Sequence, residues 1–93
     1  MPEFFRERSD APKYEKWLSV NAKRGLVANR WRDGTVMRHH ADCPTLTANR
    51  YTKTTPEYQK ICALSLKALD GEVAKRWETS AEDIHDCQHC RRT

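Results

Sequence analysis

Glycine is scarce, at three residues in 93, and no apolar run approaches the roughly 18 residues that span a membrane. There is no Gly-rich phosphate cradle, no H-E-x-x-H pair and no paired-carboxylate motif. Hydrophobic residues make up 38% of the chain, against a globular norm of about 45–50%, while charged residues reach 32%. The opening Met1-Pro2-Glu3-Phe4-Phe5-Arg6-Glu7-Arg8 lacks the continuous apolar stretch of a secretory leader. These absences argue against a membrane protein, a secreted precursor and a large-pocket enzyme. The expectation is a cytoplasmic protein without membrane insertion, whose core is too small to be comfortable without a staple.

Four cysteines offer that staple. In a reducing compartment they argue for a metal before they argue for disulfides. Charge is unevenly spread. Residues 20–55 carry seven Lys/Arg against Asp33 and Asp42, a local balance of +5, whereas residues 56–93 balance at −1. A basic half beside a nearly neutral one points to a binding face.

Residues 1–12 mix charge with Phe4 and Phe5 and read as an N-terminal arm, whose two rings either dock on the domain or meet a partner; residues 13–93 read as one domain. Lys16–Val20 and Leu26–Met37 have the β-branched and aromatic character of strands. Asp33-Gly34 signals a two-residue hairpin turn. That turn would pair Arg32 with Thr35, Trp31 with Val36 and Arg30 with Met37. Val27, Trp31, Val36 and His40 would then share one face, and Leu26, Ala28, Met37 and His39 the other. Thr55-Pro56-Glu57 reads as a helix start, and Tyr58, Ile61, Cys62, Ser65 and Leu69 follow as one helical stripe. With Asp70-Gly71 as its stop, the one main helix is expected over about 56–69. Glu72–Thr79 is open between strand and helix, with strand preferred, and Ser80-Ala81-Glu82-Asp83 has the form of a capping box.

The strongest chemistry is His39-x3-Cys43 together with Cys87-x2-Cys90. Zinc takes four nitrogen or thiolate ligands in a tetrahedron, and a Cys-x2-Cys turn can present both sulfurs to one ion. One zinc per chain on His39, Cys43, Cys87 and Cys90 would close a long loop, with His40 as the alternative fourth ligand. Cys62, on the apolar stripe, reads as a small core residue. The fold expected is therefore α+β: a small zinc-stabilised domain with a β-hairpin or small antiparallel sheet, one main helix and a terminal zinc knuckle.

Arg38-His39-His40-Ala41-Asp42-Cys43-Pro44-Thr45-Leu46, with the distant Asp86-Cys87-Gln88-His89-Cys90, resembles the metal-binding module of the Ada DNA-repair protein. More closely it resembles small His/Cys variants found in actinobacterial and actinobacteriophage proteins, over roughly residues 24–92. In Ada-type modules the first position of the pair is a cysteine that both binds zinc and accepts a methyl group from a DNA phosphotriester. Here that position is His39, which can ligate zinc but is not an activated thiolate. The resemblance thus implies a metal site without the repair chemistry, and not an enzyme.

Two functions follow as expectations. The first is a non-catalytic interaction module, an accessory protein docking on a cellular protein, such as that of a phage host. The second is a small basic DNA- or RNA-binding protein using the 20–55 hairpin face. The contact residues expected are Arg24, Arg30, Trp31, Arg32, Arg38, Arg50 and Tyr51, since Trp, Tyr and Arg dominate protein interfaces and also stack on bases or neutralise phosphates.

Overall fold

A computed structural model describes residues 2–44 and 54–87. Five strands form one mixed sheet: β1 (Glu3–Phe5), β2 (Leu26–Arg30), β3 (Val36–His40), β4 (Gln59–Ala63) and β5 (Ile84–Asp86), in the order β1-β4-β2-β3-β5. All neighbours are antiparallel except β3 and β5, which run parallel. Helix α1 (Ala11–Val20) lies on one face and α2 (Leu66–Trp77), the main helix, on the other. The α+β class with one main helix is as expected from sequence, but several elements sit elsewhere.

The main helix spans Leu66–Trp77 rather than 56–69. Thr55 and Tyr58 close a tight turn by mutual backbone hydrogen bonds of 3.3 and 3.0 Å, so Pro56 sits in a turn and not at a helix start. The segment after it is β4, a central strand whose Lys60–Ala63 are all buried. A strand covered on both faces shows a continuous buried run instead of alternation, which a helical stripe can imitate over five residues. The true N-cap is Ser65, whose hydroxyl accepts a 3.1 Å hydrogen bond from the Ala68 amide. The helix runs through Gly71 and stops at Glu78, which takes the left-handed φ of 52°. Glu72–Trp77 is accordingly helix, not strand.

Lys16–Val20 is also helical. Tyr14, Trp17 and Leu18 recur at i, i+3 and i+4 and turn one stripe onto the sheet. The first residues are built into the sheet: β1 pairs with β4, Phe5 is buried against Tyr14 at 5.7 Å between ring centroids, and Phe4 meets Trp77 edge-on at 6.3 Å. Of the two roles open to the Phe pair, docking is the one seen.

The hairpin closes with three residues rather than two. The Trp31 amide donates to the Thr35 carbonyl, the Gly34 amide donates to the Trp31 carbonyl, and Gly34 takes a φ of +92°. This is a turn followed by a left-handed glycine, the usual three-residue connection. The register therefore moves by one: Arg30 faces Val36, Val27 faces His39 and Leu26 faces His40. Val27 and His39 share the α1 face with Cys62, while Val36 and His40 lie on the opposite face with Ala28.

Candidate metal centre

β3 ends at His40, a tight turn follows in which the Cys43 amide donates to the His40 carbonyl, and Cys43 returns beneath the strand end. β5, parallel to β3, ends one residue before Cys87. One ligand atom each from His39, Cys43 and Cys87 lies within 4.8 Å of the others, and the two sulfurs are 3.8 Å apart. His39 and Cys43 are buried, at 5% and 1% exposure, and Cys87 is half-buried. The three therefore lie close enough to hold a metal ion. Cys90 lies outside the described residues, as do Arg50 and Tyr51.

The donor set suits a metal chemically. His39 Nδ1 is buried and has no hydrogen-bond partner among the described residues. Leaving such an atom unpaired costs about 1–3 kcal/mol, a penalty that a ligated ion or its surroundings would offset. Burial, reinforced by the positive charge of Lys60, pushes the imidazole down to about 4. It is thus neutral near pH 7, the form that ligates. A cleft of about 420 Å³ lies beside the cluster, lined by Leu26, Arg38, His39, His40, Leu66, Asp86 and Cys87.

His39 joins the cluster and His40 does not, because alternate residues of a strand face opposite sides. Cys62 is fully buried in β4, and burial pushes its thiol far up, so it behaves as a core residue.

Among the described residues, those expected to contact a partner lie at separate places. Trp31, 39% exposed, and Arg32 sit at the hairpin tip with Arg30 beside them, and Arg32 lies 3.9 Å from Glu57. Arg24 precedes the other end of β2, on the order of 20 Å away along an extended strand. Arg38 is committed internally: its guanidinium donates to both oxygens of Asp86, at 2.7 and 3.0 Å, and to Asp70 at 2.8 and 3.1 Å.

Sequence reasoning also missed Lys60, only 2% exposed, whose ammonium donates to Asn29 Oδ1 at 2.7 Å and lies 5.8 Å from the Tyr14 ring centre. Its position directly before the apolar run 61–64 was the available signal. No family model matches the chain, and no curated protein or solved structure matches it.

Proposed function

We propose that the protein is a non-catalytic interaction module whose fold is fastened by one zinc ion. His39, Cys43 and Cys87 would be three of its ligands and Cys90 the fourth. The observation that carries the metal reading is the convergence of a buried imidazole and two sulfurs, from segments 44 residues apart, within 4.8 Å. Sulfur and imidazole donors favour zinc over the hard cations, and a set of His plus three Cys closes the tetrahedron. A closed set holds structure rather than activating water. His39 at the position where Ada-type modules carry their nucleophile supports the same non-catalytic reading. The contact surface would be the hairpin tip, where Trp31 and Arg32 are exposed side by side, and the partner a cytoplasmic protein.

Elemental analysis after mild purification tests the first half: one zinc per chain is expected, and protein free of metal overturns it. Affinity capture with and without nuclease, across a salt series, tests the second. Protein docking through aromatic anchors should survive nuclease and moderate salt. Binding lost to nuclease and falling steeply with salt would replace it with the nucleic-acid reading.

A further inference from the structure

Cys87 follows a strand of only three residues at the edge of the sheet, paired in parallel with β3. A short edge strand is weakly held by its own ladder, so something must fix where Cys87 falls. Ile84 anchors the start of β5 by burial beside Val36 and Val73 in the core on the α2 face, and His85 between the two anchors is exposed. Arg38 holds the end at several points. The Arg38 carbonyl accepts the Cys87 amide at 2.9 Å, while Arg38 Nε and one terminal nitrogen grip both oxygens of Asp86. The other terminal nitrogen is held by Asp70 of α2, with both partners about four-fifths buried. Arg38 therefore fixes residues 86 and 87 through main chain and side chain together, and its own orientation is set from the main helix.

We propose that Arg38 is the positioning residue of the metal centre, holding the Asp86–Cys87 corner so that the Cys87 sulfur meets Cys43 and His39. This rests on the metal reading above. The guanidinium's hydrogen bonds go to Asp86 and Asp70, so it acts through the segment that carries a ligand. A planar two-point grip on a carboxylate is what arginine supplies and lysine does not. Groups that orient metal ligands from behind usually change metal affinity by about 10- to 100-fold when replaced.

Cobalt(II) titration of the full chain, followed by its thiolate charge-transfer and d–d bands, provides the test. Arg38→Lys keeps the charge and loses the fork, and should bind cobalt about tenfold more weakly while keeping the wild-type band positions. Asp86→Asn should do the same, and carries the test if Arg38→Lys does not fold. Phe4→Ala, which loosens the edge of the sheet opposite β5, separates positioning from general stability: it should lower the melting temperature and leave cobalt affinity within about twofold. Wild-type affinity in folded Arg38→Lys and Asp86→Asn overturns the proposal, as does a loss no greater than that of Phe4→Ala at an equal drop in melting temperature. If the wild-type chain shows no thiolate bands with cobalt, the metal reading itself falls, an outcome distinct from a wild-type site indifferent to Arg38.

Discussion

Adjacent histidines on β3 face opposite sides of the sheet, and that alternation decides their roles. His39 lies under α1 with Val27, Cys43 and Cys62, whereas His40 opens onto the cleft beside Leu26. His39→Ala should abolish tight zinc binding, and His40→Ala should leave stoichiometry unchanged, as read by elemental analysis of each purified variant. The reverse result would mean that the strand is rotated by one residue. Lys60 makes a second prediction at this scale. Burial pushes its ammonium down to about 8 from an ordinary 10.5, with Cys62 opposing weakly. The folded state thus releases the proton first, the unfolded state binds more protons between those two values, and stability from this group rises with pH across that window. Below pH 8 the penalty is complete and constant, on the order of 3 kcal/mol. Cys62 and Tyr14, both pushed up by burial, oppose the gain at the alkaline end because their unfolded forms ionise first. The comparison that isolates Lys60 is wild type against Lys60→Met by denaturant titration. Their stability difference should shift in favour of wild type by roughly 3 kcal/mol between pH 8 and 10.5, and a flat difference would mean that the buried ammonium carries no penalty.

At the scale of elements, the ligand spacing, the existence of a hairpin and the Asp33-Gly34 turn were legible, because each depends on residues close together in sequence. The helix limits were not. Ile61, Cys62, Ser65 and Leu69 satisfy a helical period, yet Ile61 and Cys62 are buried on opposite faces of a central strand and Leu69 belongs to the helix after it. Only the neighbouring strands, which come from residues 3–5 and 26–30, make a two-sided strand of that segment. The hairpin register turned on whether Gly34 was the second of two turn residues or the third of three. The glycines turn this into a measurement. Gly71, taken from sequence as a helix stop, lies in the helix interior, is exposed, and has open space where a Cβ would stand. Gly71→Ala should raise stability by about 0.5–1 kcal/mol, since alanine is the better helix former and loses less backbone freedom on folding. A destabilised Gly71→Ala in thermal melts would restore the left-handed stop. At Gly34, with φ of +92°, alanine should instead be unfavourable.

For the molecule as a whole, the sheet separates the places of the two proposed duties. The metal cluster lies where β3 ends, and the hairpin tip lies beyond the opposite end of the same strand, about 16 Å away at the rise of an extended chain. Cys43 belongs to the apolar core under α1 and Cys87 packs against it, and neither core takes in Trp31 or Arg32, so the tip can be altered without reaching the ligands. Trp31 belongs to neither core, which separates its loss from unfolding. The Trp31→Ala, Arg32→Ala double variant should therefore keep its zinc and melt within a few degrees of wild type while losing on the order of 1–3 kcal/mol of partner affinity. Chelation should do the converse. Removing the ion leaves the tip's side chains untouched but releases β5 and the turn carrying Cys43, so the melting temperature should fall and binding should fail only as the fold fails. Measured together, zinc content, melting temperature and partner affinity distinguish a docking surface from a stability element. If the double variant loses metal as well as affinity, the tip and the metal centre form one cooperative unit; if it keeps both, the contact surface lies elsewhere on the molecule.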